Sequence, residues 1–506
     1  MPGPPADDSP SRGDLPLYRQ LAERLTLAIQ QGALRPGTRL PSVRQAAREQ
    51  LVSVSTVVQA YRWLEDARLV QARPRSGHVV LARSLAALPE PATSAPQPLP
   101  QEVDVFDLSE HVMEMAATPG VISFGAVCPH PELFAQDRLR RALSQATLRQ
   151  RQLITRYPTG HGEQALRSAI ARRALALGCA LDPRRIVITN GTNEAVTMCL
   201  LAVTRPGDTV ALESPTSFGF LQILQSLQLK ALEIPTHPRH GLSVDALALA
   251  LQTQPVRAVL AVPTLQNPLG ACMPLAERRR LAALLAEHRV PLIEDAIYND
   301  LAERDEYRRA VKSFDPEGWV MLAASFSKTV APGLRVGWAE GGRFGDALRR
   351  RKMACSGGHT GVVEMAMAEL LTQPGYEPQL RRLRQVFAQR LAEARQLIGQ
   401  HFPRGTRVTD PAGGLMLWLE LPSGVDAMQL FRDCQAEGIC IAPGPMFSAG
   451  PRYRHCVRLS VGQGWTLPHQ QAMARVGWLA QRLHAQHDRH ADTAAVTTAT
   501  PATSMP

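Results

Sequence analysis

Apolar positions near the start of the chain follow a helical beat. Tyr18, Leu21, Leu25, Ala28 and Ile29 recur at three- and four-residue spacing, which predicts an amphipathic first helix. Gly32 and then Pro36-Gly37 end it. Ser42, with Gln45 three residues on, matches a capping box and opens a second helix with Val43, Ala46 and Ala47 inward. A break falls at Leu51-Val52. Ser53 caps a third helix whose inner face is Val57, Ala60, Tyr61 and Leu64. Leu69-Val70 and His78-Val79-Val80 read as two short strands joined by the basic turn Arg73-Pro74-Arg75-Ser76-Gly77. Helix, helix-turn-helix and two-stranded wing, in that order, predict a winged helix-turn-helix domain over residues 14–82.

Further along, the pattern changes. The runs IVITN, TVALE, VRAVLAV, VPLIEDAIY and WVMLAASFS are rich in β-formers, and helix-like stretches separate them. That alternation predicts an α/β domain with a mostly parallel sheet over residues 104–483. Three stretches lack a core pattern. Residues 1–13 are polar and expected to be disordered. Residues 83–103 carry Pro89, Pro91, Pro96, Pro98 and Pro100 and read as a semi-extended linker. Residues 484–506, rich in Ala, Thr and His, are expected to form a disordered tail.

Composition narrows the class. The chain has 506 residues, 45% of them hydrophobic and 20% charged, as in an ordinary globular protein. Its net charge is +11, and residues 1–83 hold twelve Arg against seven acidic residues, so an acidic partner such as DNA fits. The eight cysteines form no CxxC pair and no Cys/His cluster with metal-ligand spacing. They read as reduced thiols of a cytoplasmic protein. The N-terminus lacks a signal-peptide pattern, and no apolar run approaches the ~20 residues that span a bilayer. Neither export nor a membrane partner is expected.

Candidate chemistry lies at the ends of the predicted strands, where ligands of such sheets gather. The run Thr189-Asn190-Gly191-Thr192-Asn193-Glu194 leads into a helix and offers free N–H groups to an anion. Asp295 and Tyr298 follow a second strand, where a carboxylate could hold a protonated ring nitrogen; a capping Asp and a core Tyr are the plainer readings. Lys328 follows a third, in Ser325-Phe326-Ser327-Lys328. The chain has only four lysines, Lys230, Lys312, Lys328 and Lys352, among 56 basic residues. An amine can lose its proton and form a Schiff base, whereas a guanidinium cannot. In the small domain, the third helix exposes Ser53, Ser55, Thr56 and Gln59, which suit base edges in a major groove. Arg44, Arg48, Arg73 and Arg75 suit backbone phosphates.

Two resemblances join these readings. The runs PLYRQLAERLTLAIQQGALRPGTRLPSVRQAAREQ, VSVSTVVQAYRWLED and RPRSGHVV resemble the GntR-family winged helix nearly end to end. The exception is Leu51, where that family has Gly or a small polar residue; a left-handed turn there costs a Leu about 1 kcal/mol or more. The ordered set ISFG, RYPTGHGEQALRSAI, ITNGTNEAV, ESPTSFGF, VPTLQNPLG, EDAIYNDL, SFSKTVAPGLRVGW, PAGGLMLWLEL, IAPGPMFS and VRLSVG resembles the fold-type I aminotransferases, which bind pyridoxal 5'-phosphate (PLP). Together they resemble the MocR subfamily of GntR regulators over about four-fifths of the chain.

The resemblance implies a fold-type I PLP-dependent aminotransferase-like domain with a smaller C-terminal α+β subdomain, and a homodimer. It implies an aldimine link from Lys328 to PLP, Asp295 on the pyridine nitrogen, and Asn267 and Tyr298 on the ring's 3'-oxygen. Gly191, Thr192, Ser325 and Arg335 would hold the phosphate, with Tyr157 reaching it from the partner subunit. Arg458 would clamp a ligand carboxylate. Relatives place an aromatic residue against the ring where this chain has Ser217, and the adjacent Phe218 is the candidate substitute. The function implied is a transcription regulator that binds operator DNA and senses an amine or amino-acid-like effector by exchange at Lys328. An active aminotransferase with a residual or regulatory DNA-binding domain is the alternative. A sensor of PLP itself is a third.

Overall fold

The computed structural model describes residues 16–30, 34, 37–66, 69–73, 77–80, 88–158 and 160–498, excluding the side chains of 27, 30, 73 and 490–498. The chain divides between residues 87 and 88 into two units. All eight cysteines are unpaired.

The first unit is three helices, Leu17–Gln30, Val43–Glu49 and Val54–Asp66, followed by the antiparallel strands Val70–Arg73 and Gly77–Val80. Its core is the one the periodicity selects: Leu21, Ala46, Ala47, Val57, Ala60, Tyr61 and Leu64, closed by Val70 and Val80 from the wing. The buried Tyr61 donates its hydroxyl to Pro41 O at 2.9 Å, which ties the third helix to the start of the second. Ser42 caps the second helix by accepting the Gln45 N–H at 3.3 Å. The reciprocal half of the capping box is not made, because the Gln45 side chain donates to Glu49 instead.

Leu51 takes φ +54° in the turn between the second and third helices and is 93% exposed. A Cβ in that region crowds the next carbonyl, and an exposed side chain recovers nothing by burial. Leu51→Gly is therefore expected to stabilise the turn by about 0.5–1 kcal/mol, the relief of strain exceeding the entropy cost of glycine. Slower hydrogen exchange in the two flanking helices would register it.

The second unit is built on an eight-stranded sheet. Its order is Ile186–Thr189, Gly337–Glu340, Val320–Ser325, Leu292–Asp295, Val256–Ala261, Thr209–Ser214, Lys230–His237 and Gly241–Leu242. The five strands from Val320–Ser325 through Lys230–His237 pair in parallel, while Gly337–Glu340 runs antiparallel to both its neighbours. Strands Thr209–Ser214, Leu292–Asp295 and Val320–Ser325 are buried along their whole length, as helices on both faces of a parallel sheet require. A smaller α+β subdomain follows. It holds the antiparallel strands Arg407–Val408, Met416–Glu420, Cys456–Ser460 and Ala442–Pro443, packed by helices Tyr376–His401, Ala427–Ala436 and Leu467–Thr498.

Two boundaries differ from the sequence reading. The proline-rich stretch expected as a linker over 83–103 is, from Leu88 on, a strap bound to the second unit; residues 83–87 lie outside the described residues. Val408 N–H donates to Pro89 O at 2.8 Å, Arg239 pairs with Glu90 at 2.6 Å, and Arg452 donates to Ala95 O at 2.8 Å. Ser94 exchanges bonds with Thr236, and Gln101 with Ala231, along the edge of the large sheet. Prolines bring no N–H of their own to satisfy, so an extended proline-rich chain can lie on a surface that supplies the donors. The tail expected from residue 484 is helical as far as Thr498, the last of the described residues. Residues 484–498 contain neither Gly nor Pro, and a helix already anchored by Met473, Val476, Leu479 and Ala480 propagates through such a stretch.

Candidate cofactor site and nucleic-acid interface

The sheet delivers its polar residues to one cleft of about 390 Å³. Asp295 ends strand Leu292–Asp295, Ser325 ends Val320–Ser325, and Lys328 follows three residues on. Arg458 comes from the four-stranded sheet, on strand Cys456–Ser460. The cleft is lined by these four together with Thr192, Asn267, Tyr298, Arg335 and Phe218. Tyr157 is not among its lining residues and is 98% exposed.

Burial sets the electrostatics. It pulls Lys328 below the ordinary lysine range, and the nearby Arg458 and Arg335 cations lower it further against the opposing pull of Cys128 and Asp295. Its ammonium donates to Val127 O. Burial pushes Asp295 up to about 7, opposed by the Ile297 N–H at 2.9 Å and by Lys328. Desolvation pulls the fully buried Arg458 down to about 10, which leaves it a cation at neutral pH. Arg458 donates to Asn267 Oδ1 at 3.1 Å and to Gly125 O, and its guanidinium lies 4.9 Å from the Phe447 ring. Asn267 in turn donates to Ser217 Oγ at 3.3 Å.

At one end of the cleft stands an anion cradle. Helix Gly191–Val203 points its first turn there, and Gly191 takes φ +82°. A Cβ on Gly191 would lie 2.5 Å from Arg335 Nη2, and one on Gly337 would lie 2.5 Å from Gly191 C, so both positions require glycine. Arg335, itself left-handed at φ +53°, donates to Asn190 O at 3.2 Å. The hydroxyls of Thr192 and Ser325 are buried yet make no hydrogen bond within the protein. Buried polar atoms are normally paired, so two orphan hydroxyls beside a guanidinium and a helix N-terminus fit a phosphate. With an amine and a buried carboxyl in the same cleft, the residues present fit PLP.

Several groups at the cleft were not singled out from sequence: Ser327, Asn193 and Cys128 line it, and the carbonyls of Gly125 and Val127 accept from Arg458 and Lys328. Ser327 and Asn193 lie inside motifs that the sequence displays. The carbonyl contacts depend on a segment some two hundred residues before Lys328, and no local pattern reveals them.

In the first unit, Arg44, Arg48, Ser53, Ser55 and Gln59 are exposed and Thr56 is half-buried. Ser53 works as the helix cap: its Oγ accepts the Thr56 N–H at 3.1 Å and lies 2.8 Å from both Ser55 Oγ and Thr56 Oγ1. Ser55 and Gln59 thus form the outward polar face. The Arg73 side chain and Arg75 lie outside the described residues.

Known proteins share both parts. Residues 17–80 match the model of bacterial regulatory proteins of the gntR family, and residues 131–467 match aminotransferase class I and II. The HTH-type transcriptional regulator YjiR of Escherichia coli K12 is 36% identical over 91% of this chain and 98% of its own length. The probable rhizopine catabolism regulatory protein MocR of Rhizobium meliloti is 27% identical over 85% of this chain and 87% of its own. The α-aminoadipate aminotransferase LysN of Thermus thermophilus, solved with N-(5'-phosphopyridoxyl)-L-leucine, superposes with TM-score 0.68 at 26% identity, covering 74% of this chain and 98% of that one. Fold and site thus define a fold-type I, PLP-dependent aminotransferase domain joined to a winged helix-turn-helix. The chain belongs to the MocR subfamily of GntR-family transcription regulators, and it is a PLP-dependent, DNA-binding regulator.

Proposed function

We propose that this regulator senses an amine or amino-acid-like effector in the Lys328 cleft and transmits its binding to the winged helix. The supporting observation is that the two groups which would engage such a ligand come from different sheets. Asp295 ends one strand of the eight-stranded sheet and Lys328 lies in the turn that follows another, whereas Arg458 stands on the four-stranded sheet. A ligand whose amine engages at Lys328 and whose carboxylate pairs with Arg458 ties the two sheets together. The strap from Leu88 is bonded to the same two sheets, at Val408 on one and at Ala231 and Thr236 on the other, and it leads directly from the DNA-binding domain. A ligand that favours one arrangement of the sheets therefore has a covalent route to the winged helix.

When bound, PLP supplies an aldehyde carbon for amine exchange and an electron-withdrawing ring. Lys328, its pKa lowered by burial, is a neutral nucleophile at lower pH than a solvated lysine. Asp295 would pair with the pyridine N–H, whose positive charge would favour the ionised carboxyl against the burial that raises it. Asn267 and Tyr298 would hold the 3'-oxygen side, Phe218 would pack on the ring, and Gly191, Thr192, Ser325 and Arg335 would hold the phosphate. Tyr157, which is exposed and does not line its own cleft, would reach the phosphate of the partner subunit in a homodimer. The operator is double-stranded DNA, met by Ser55, Thr56 and Gln59 at base edges and by Arg44, Arg48, Arg73 and Arg75 at phosphates. The setting is the cytoplasm; among the described residues no helix is long and apolar enough to cross a membrane.

A freed, neutral Lys328 could also carry a proton, which is what an aminotransferase requires. A panel of amines separates the readings when absorbance and operator binding are followed on one sample. The regulator reading expects the amines that perturb the cofactor band to change DNA affinity as well. Robust turnover on a keto-acid pair, with no specific DNA retardation at moderate salt, would sink it.

A further inference from the structure

Behind the anion cradle lies an ion pair that none of the roles above uses. Lys352, on helix Gly345–Cys355, has a fully buried side chain. Its ammonium lies 2.8 Å from Glu194 Oε2 and 2.8 Å from Ser356 Oγ. Glu194 stands in the first turn of helix Gly191–Val203. It also accepts the Ser356 hydroxyl at 2.5 Å and the Asn190 backbone N–H at 2.6 Å. Asn190 is the residue whose carbonyl receives Arg335 Nη2. On the other side of Arg335, His359 Nε2 lies 3.1 Å from the Arg335 carbonyl, three residues after Ser356.

These bonds form one series, from Lys352 and Ser356 to Glu194, from Glu194 to Asn190, and from Asn190 to Arg335. Its last two members frame the glycine turn where the phosphate binds. Burial would raise the Glu194 carboxyl, but the bonds from Lys352, Ser356 and Asn190 outweigh it and hold the group below the usual range, so it is an anion. An anion placed behind a cradle for another anion would weaken phosphate binding unless it were neutralised, and Lys352 neutralises it.

The geometry points to Lys352 and Glu194 as positioning residues for the cofactor phosphate: Glu194 fixes the Asn190–Gly191 turn, and Lys352 cancels its charge. This assignment rests on the cleft binding PLP, which the wild-type chain reports in the same assay.

The full-length chain is stripped of cofactor, and its PLP dissociation constant and the thermal midpoint of the stripped form are measured for wild type, Lys352→Met, Glu194→Gln and the double variant. Lys352→Met strands an uncompensated carboxylate behind the phosphate, and a tenfold or greater loss of affinity is expected. The double variant keeps an amide oxygen for the Asn190 N–H and holds no buried charge, so recovery to within about threefold of wild type is expected. Wild-type affinity in Lys352→Met would overturn the assignment. So would losses that simply follow the fall in thermal midpoint across all three variants, since the pair would then only join two helices. Failure of the wild type itself to bind PLP would refute the underlying cofactor reading instead.

Discussion

Replacement of Lys328 by alanine is expected to abolish covalent retention of the cofactor. After borohydride reduction and denaturation, wild type should keep a pyridoxyl group and Lys328→Ala should keep none, a loss of at least about a hundredfold. No other lysine can take its place. Lys230 lies at the start of an outer strand, 3.5 Å from Glu102. Lys312 is held by Val320 O at 2.6 Å and by Glu340 at 3.0 Å. Lys352 is locked to Glu194. Lys328 alone among the four lines the cleft. Because its pKa is lowered by burial, its neutral form exists at lower pH than that of a free lysine, and covalent capture should persist correspondingly further down the pH scale. A surviving adduct in the variant would show that the anchor is misassigned.

The second large effect concerns DNA. Ser55 and Gln59 project from the exposed face of helix Val54–Asp66 and take no part in the core. Ser55→Ala/Gln59→Ala is expected to leave the fold intact and to cost about 1–3 kcal/mol for each base no longer read, roughly five- to 150-fold in operator affinity. Binding to unrelated DNA should change little. Arg44→Ala/Arg48→Ala should behave differently. It should weaken operator and unrelated DNA together and reduce the slope of log K against log salt by about 0.9 for each phosphate no longer neutralised. Anisotropy titrations at several salt concentrations measure both. Equal weakening on both DNAs from Ser55→Ala/Gln59→Ala would remove that face from base recognition.

Much of this was legible in the sequence because local rules and global fold agree. Ser42 and Ser53 cap the helices they precede, Tyr61 and Leu64 face the core, and Leu51 takes the strained turn conformation that its place between two helices demands. The strand-end motifs of the large domain arrive in one cleft, since a parallel sheet carries every carboxyl end to the same side. Other features depend on partners distant in sequence. The strap reads locally as a linker, and only the donors of Val408, Arg452 and Ala231 make it a bound segment. Strand Lys230–His237 hides behind Glu233 and Pro235, which suit a strand only where the buried carboxylate is met by Ser214, Ser448 and the Ala449 N–H. The pairing of Glu194 with Lys352 spans 158 residues and has no periodic signature. The tail reads as disordered from its sequence because Ala, Thr and His without an apolar face carry no helix signal until a preceding helix nucleates them.

On the proposed mechanism, occupancy of the Lys328 cleft and affinity for DNA are linked. The most direct test of that link is anisotropy of a fluorescent duplex from the chain's own upstream region, titrated with PLP-loaded protein in the absence and presence of an amine that perturbs the cofactor band, in wild type and in Lys328→Ala. At least about a fivefold amine-dependent change in the wild-type DNA dissociation constant is expected, and in the variant an amine-free affinity close to wild type with no amine response. An unchanged wild-type constant with every band-perturbing amine, or a full response surviving in Lys328→Ala, would contradict the link.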